Sequence, residues 1–288
     1  MGISLAVVAA LAFAVASVMQ QHAAMRASVH TNESTTRLLL HLVRDRVWLL
    51  GTVADLGAYG LQSVALAFGQ LSLVQPILTL GLVFALPLSA HIQHRRHGRL
   101  EWAAAAVVAL GVGVFVVVAQ PSGATTSIAR ADWIAALGLF GLPAIVCALL
   151  SRVAQLPRRR AELLALAATL VYGLTAAMTK ATVDRLSIGI GATLWSWYPY
   201  GVIVGGYFGL VLIQRAFQVA PLSASLPLLT VCEPVVGVAL GILLFEEHLS
   251  IGGARLFIIV ASLVVMAVGV IVMSTSQEAA DLVPVLPG

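Results

Sequence analysis

The sequence predicts an all-α integral membrane protein of about nine transmembrane helices, arranged as two inverted repeats of four and five. Three observations lead there. Of 288 residues, 60% are hydrophobic and only 10% charged, against roughly 25% charged in a soluble domain, so too few charges remain to cover a water-facing surface. Apolar runs of about 20 residues, the length that crosses a bilayer, recur along the whole chain. A stretch near residue 70 also comes back near residue 220. A transmembrane β-barrel is excluded, because barrel strands alternate over about ten residues instead of running apolar throughout.

The spans fall near 2–21, 47–69, 71–91, 102–120, 132–151, 161–180, 192–213, 222–245 and 254–273. The first, MGISLAVVAALAFAVASVMQQ, lacks a basic leader and is too long in its apolar run for a signal peptide, so it reads as a retained helix. The second carries Asp55 and Gln62, and the third Gln75, Pro76, Thr79 and Pro87. A basic loop, HIQHRRHGR, follows. Its His91, His94 and His97 sit among arginines and read as a headgroup contact, not a metal site. The fourth span is AAAAVVALGVGVFVVVAQP.

The fifth holds Cys147 and the eighth Cys232; neither thiol forms a disulfide or zinc pattern, and both read as small apolar side chains. The sixth carries Tyr172, Thr175 and, near its outer end, Lys180, which is expected to snorkel to the surface. WSWYPY at 195–200 reads as an interfacial aromatic belt. An external gate of Trp195, Trp197 and Tyr198 is the sharper alternative. The eighth span, within PLLTVCEPVVGVALG, combines Pro227, Thr230, Glu233 and Pro234. The ninth is LFIIVASLVVMAVGVIVMS, and 274–288 reads as a cytoplasmic C-terminal tail.

Loop charge orients these spans. Alternate loops hold Arg26, Arg37, Arg44 and Arg46; then Arg95, Arg96 and Arg99; then Arg152 and Arg158 to Arg160; then Arg215, which makes twelve of the 16 basic residues. The opposite loops hold Arg130, Lys180, Arg185 and Arg255. A multi-pass protein of the cytoplasmic membrane is therefore expected, with its N-terminus outside and its C-terminus in the cytoplasm. The net charge of +4 belongs to this topology and not to nucleic-acid binding.

Residues 67–78 read AFGQLSLVQPIL and residues 216–229 read AFQVAPLSASLPLL. Leu71, Ser72 and Pro76 match Leu222, Ser223 and Pro227. An odd number of spans separates the two units, so they enter the membrane in opposite directions. Inverted repeats of this kind characterise secondary transporters, with the substrate site where the repeats meet. Residues 1–121 form the first repeat on this reading, and 132–273 the second.

The unit SVALAFGQLSLVQPILTLGLVFALPLSA resembles the third and fourth helices of the drug/metabolite transporter (DMT) superfamily. PLSASLPLLTVCEPVVGVALGILLFEEHLSIGGARLFIIVASLVVMAVGVIV, with its acid pair Glu246 and Glu247, is similar to the way EamA-type members end each half. The four-plus-five arrangement is nearest the NIPA-like branch, described as magnesium transporters. QQHAAMR stands here where that branch carries a basic run. The resemblance implies transport by two halves rocking in alternating access.

Asp55 and Glu233 lie deep in their spans with no lysine or arginine at comparable depth. A charge at a helix centre costs about 2.5–3.5 kcal/mol on insertion scales. Each acid must therefore take a proton, bind a cation, reach water, or be hydrogen-bonded inside the bundle. Glu233 beside Pro234 has a freed carbonyl as one such partner. Asp55, Glu233, Gln75, Tyr172 and Gln62 are thus the candidate substrate- or proton-binding residues. Pro76, Pro227 and Pro234 are the candidate hinges or cavity lining. Asp132, Asp184, Glu246 and Glu247 are expected to attract cations at the outer face.

No phosphate loop, metalloprotease helix or nucleophile elbow occurs. Neither an enzyme nor a cofactor is expected. The expected function is secondary transport of a small metabolite or amphipathic solute, with proton coupling open to it. A magnesium carrier, a lipid-linked or polyprenyl carrier translocase, and a non-transporting structural subunit are the alternatives. Membrane lipids and a small-molecule or cation substrate are the expected partners, nucleic acid is not, and homodimerisation is open.

Overall fold

This computed structural model describes residues 1–30, 44–92, 98–123, 125, 127–219, 222–249, 252 and 254–281. His94, His97, Arg37, Arg95, Arg96 and the tail beyond Asp281 lie outside them, as do the side chains of Arg26, Leu222, Ser223 and Pro227. The described chain is helical and contains no strand, apart from one isolated bridge between Ser122 and His248. Its helices are α1 (Gly2–His30), α2 (Arg46–Phe68), α3 (Leu71–Leu78), α4 (Leu80–Ile92), α5 (Arg99–Ala119) and α6 (Arg130–Ala136). A π turn at Leu137–Gly141 leads into α7 (Leu142–Val153), followed by α8 (Pro157–Leu186), α9 (Ile190–Leu194), α10 (Tyr198–Val219), α11 (Leu222–Phe245) and α12 (Ala254–Asp281).

Eight stretches among the described residues are long and apolar enough to cross a membrane. They correspond to every expected span except 192–213. That region holds the short α9, a turn through WSW, and then α10, whose 22 residues extend about 33 Å at 1.5 Å per residue. Of its polar residues, Tyr198, Tyr200, Gln214 and Arg215 stand near its two ends. The expected tail at 274–288 begins as a continuation of α12 to Asp281.

Local chemistry sets the helix ends. The Asp45 carboxylate accepts from the Val47 and Trp48 amides at 2.7 and 2.9 Å and starts α2. Pro76 lies inside α3, where its missing amide removes one ladder bond, and the helix breaks three residues later at Thr79. The break is bridged by Thr79, whose hydroxyl donates to the Pro76 carbonyl at 2.7 Å before α4 resumes. Pro143 enters α7 directly after the π turn. Its missing amide frees the ladder there, and Leu142 N reaches back to Leu137 O instead.

Small residues bring the helices together. A Cβ on Gly111 of α5 would meet Met266 Cγ at 2.6 Å and Ser262 O at 3.1 Å on α12. A Cβ on Gly269 of α12 would meet Val108 Cγ2 at 2.7 Å and Ala104 O at 3.1 Å on α5. The contacts run in opposite order along the two chains, so α5 and α12 are antiparallel. They are also reciprocal, as across a two-fold axis. The same antiparallel order joins α8 to α10, where Met178, Thr175 and Tyr172 sit against Gly201, Gly205 and Gly209. α1 packs along α2 and on α3 and α4; α8 packs along α10 and on α11.

One joint between helices lies inside the bundle. α2 ends at Phe68 and α3 begins at Leu71, exposing carbonyls on one side and amides on the other. Glu247 is fully buried, and its carboxylate accepts from the Leu71 and Ser72 amides at 2.7 and 2.8 Å. Lys180 is also buried and donates to the Leu66 and Gly69 carbonyls, each at 3.2 Å. Asp184 pairs with it at 3.3 Å, and the Phe245 ring lies 5.3 Å from its Nζ.

Two expectations are thereby corrected. Lys180 does not snorkel outward, because a helix C-terminus and Asp184, one turn away, satisfy its charge inside. Glu247 is not an outer cation lure, because it caps α3; Asp184 is likewise engaged by Lys180.

Glu246 and Glu247 therefore differ sharply. Glu247→Ala leaves two buried helix-start amides unpaired and is expected to cost roughly 2–4 kcal/mol. Glu246 is exposed, with backbone φ of 51°, and Glu246→Gly should gain about 1 kcal/mol by relieving that left-handed conformation. Thermal unfolding of the two variants in detergent checks both signs. Similar small shifts in both would remove the capping role from Glu247.

Candidate functional site

The site grows from one stripe of α2. Asp55, Tyr59 and Gln62 follow each other at i, i+4 and i+7, the spacing of a single helix face. Asp55 is exposed, Tyr59 half-buried and Gln62 buried. The stripe faces α8, where Tyr59 Oη and Thr179 Oγ1 share a hydrogen bond of 2.7 Å. Neither Tyr59 nor Thr179 figured in the sequence reading; the helical spacing from Asp55 is the signal that marks Tyr59.

Two turns before Thr179, Tyr172 lies half-buried, its ring against Gly209 of α10. It is within electrostatic reach of both Glu233 and Asp55. Tyr172 thus stands on the side of α8 that carries the fields of both expected acids. Glu233 is half-buried on α11, and Pro234 behind it is buried.

One turn beyond Glu233, Gly237 lets α3 approach closely: a Cβ there would meet Gln75 Cγ at 2.5 Å. Gln75 is fully buried, and neither amide atom has a hydrogen-bond partner among the described residues. A buried amide left unpaired costs roughly 1–3 kcal/mol, which a protein retains where the group serves something else.

The α3–α4 break and α11 meet beside these groups. Thr79, at the α3–α4 break, and Thr230, Val231 and Pro234 of α11 line one small cavity of about 10 Å³, close to the room that one water needs. Thr79 and Thr230 each stand three residues after the repeat prolines Pro76 and Pro227. Pro76 is therefore at a helix discontinuity and Pro234 lines a cavity, while the side chain of Pro227 lies outside the described residues.

The aromatic run is split. Trp197 meets Trp133 of α6 edge-on and Tyr198 meets it at a tilt, with centroid distances of 4.9 and 5.4 Å, and Arg185 lies 5.9 Å from the Tyr198 ring. Trp195 is 93% exposed and makes none of these contacts. Sequence reasoning missed Trp133, which sits more than 60 residues away and joins the cluster through packing of α6. Among the described residues, no three His, Cys, Asp or Glu side chains converge as a metal site would require.

A larger feature lies elsewhere. α7 and α10 both pack on α8 and leave between them a groove of about 740 Å³, apolar along its length and ending at Arg152, Arg160 and Arg215.

No protein-family model and no solved structure matches the chain. An uncharacterized protein of Corynebacterium glutamicum is 32% identical to it over 240 residues, 83% of each chain.

Gln75→Leu removes two unpaired polar atoms at similar volume. It is expected to raise stability by about 1–2 kcal/mol, seen as a higher thermal midpoint in detergent. A lower midpoint would mean that the amide is satisfied within the folded bundle.

Proposed function

The chain belongs to the family of that uncharacterized Corynebacterium glutamicum protein, and from its core we propose that it is a secondary transporter of the drug/metabolite type. It moves a small metabolite or amphipathic solute across the cytoplasmic membrane by alternating access. The observation that carries this reading is the meeting of α3, which breaks at Thr79, with α11, a continuous helix carrying Pro227 and Pro234, around Gln75 and Glu233. Transporters build their sites from interrupted helices at repeat interfaces, where freed backbone groups and polar side chains face a cavity.

Several features support two inverted halves. Gly111 and Gly269 stand at matching positions of ALGV and AVGV and make reciprocal, antiparallel contacts. A two-fold relation between antiparallel helices has its axis across them, in the plane of the membrane. The pairing of α1 with α2 parallels that of α8 with α10, and the docking of α1 on α3 and α4 parallels that of α8 on α11. α10, as the seventh span in chain order, brings the count to the nine of the four-plus-five arrangement. The bias of basic residues toward alternate loops supports an N-terminus outside.

In this reading Glu233 and Asp55 alternate between a proton or cationic partner and water, while Tyr172 sits between them. Gln75 orients the solute with a donor and an acceptor. Rocking of one half against the other requires a flexible point, which the Pro76–Thr79 break supplies on one side and Pro234 on the other. The tight α5–α12 contact is the pivot.

Charge movement in proteoliposomes on a solid-supported membrane tests this. The panel comprises amines, amino acids, phosphorylated metabolites and Mg²⁺, with and without a pH gradient. One solute class should give a current that falls at least about tenfold in Glu233→Gln and in Gln75→Leu, at equal reconstitution. Undiminished current in both variants would move the site elsewhere. Silence across the panel, from folded protein, would favour a non-transporting subunit.

A further inference from the structure

The groove over α8 has a chemistry of its own. Its walls are α7 with the preceding π turn on one side and α10 on the other. Along α8 it runs from Arg160 to Met178, about 27 Å at 1.5 Å per residue. A single leaflet of hydrocarbon is about 15 Å thick, so the groove reaches from a membrane surface past the midplane. It is open along one side, where Ile145, Val204 and Phe208 remain exposed.

The wall offers almost nothing to a polar solute. Its hydroxyls are already committed: Ser151 Oγ donates to the Ala148 carbonyl at 2.7 Å and Thr175 Oγ1 to the Val171 carbonyl at 2.8 Å. Polarity is concentrated at one end, where Arg152 closes α7, Arg160 opens α8 and Arg215 comes from α10. All three are exposed, and among the described residues none has an acid within ion-pair distance; Glu162 is taken by Arg158 at 3.0 Å. Three cations from three helices thus surround the mouth of a hydrocarbon-lined channel.

We infer that this groove is a binding site for a membrane phospholipid with an anionic headgroup, its acyl chain lying between α7 and α10 and its phosphate held by Arg152, Arg160 and Arg215. Guanidinium groups match phosphate oxygens in a bidentate fork, and basic pockets between transmembrane helices hold anionic headgroups in this way. Because the displaced neighbour is also lipid, the chain contributes little selectivity. The headgroup decides it. The site is separate from the polar core at Gln75 and Glu233 and does not depend on transport.

Native mass spectrometry of the full-length protein, released from neutral detergent, reads this directly. Phosphatidylglycerol and phosphatidylcholine of identical chains are titrated, with inorganic phosphate as a third probe. Phosphatidylglycerol should bind at least about tenfold better than phosphatidylcholine. The preference should vanish in the Arg152→Gln/Arg160→Gln/Arg215→Gln variant. Ala148→Phe, which narrows the groove and keeps the arginines, should lower phosphatidylglycerol occupancy severalfold. Each single arginine variant should lose part of the preference, so the test survives if the triple variant fails to fold.

Equal binding of the two lipids overturns the proposal. So does retained preference in the arginine variants. Displacement of phosphatidylglycerol by millimolar inorganic phosphate, unaffected by Ala148→Phe, would mark a free-anion site and overturn it as well.

Discussion

Within hydrocarbon a helix may end only where something other than water meets its last carbonyls and the next helix's first amides. The joint between α2 and α3 is the place where this protein meets that constraint. Lys180 covers the carbonyls of Leu66 and Gly69, and the Glu247 carboxylate covers the amides of Leu71 and Ser72. Both charges are themselves costly to bury. They are tolerated because each faces the helix end of opposite partial charge, and because Asp184 and the Phe245 ring complete the shell around the lysine. α8 and the end of α11 are thereby tied to the start of α3. The position of Gln75, one turn along α3, follows from that tie.

The same end of the molecule is held by backbone pairing. Ser122 and His248 exchange hydrogen bonds of 2.9 and 2.8 Å, and the Thr125 amide donates to Phe245 O at 2.9 Å. The segments after α5 and after α11 are thus joined, and both helices close on a left-handed residue, Gln120 and Glu246. Around this anchored end the bundle is packed through small residues, as membrane helices without a hydrophobic driving force require. The opposite end carries Arg152, Arg160 and Arg215.

The two surfaces proposed for binding differ in how their polar groups are satisfied. The core gathers Asp55, Tyr172, Glu233 and Gln75, groups that need a polar or ionic partner. The groove over α8 spends its hydroxyls on its own backbone and leaves only arginines at its mouth. A polar solute suits the first and an amphipath suits the second. The π turn before Pro143 belongs to the groove wall, so the proline that disturbs α7 also shapes the lipid-facing surface.

Much of this was legible in the sequence. Charge scarcity and 20-residue apolar runs decide for membrane helices before any packing is known, since burial in lipid depends on composition and length alone. Pro76 announces the α3–α4 break, and Asp55 and Glu233 stand out because a carboxylate among leucines needs a reason. Lys180 and Glu247 were misread for the same reason that the groove was invisible. What a charge does depends on which helix end, ring or opposing charge lies beside it, and those neighbours are 66 to 72 and 245 in one case, α7 and α10 in the other. Trp133 joins Trp197 by packing across some 60 residues of chain. Composition and periodicity determined that the chain spans a membrane and which residues are out of place there. Only tertiary structure decided which of them are partners, because that choice is made by distances between helices that no single helix encodes.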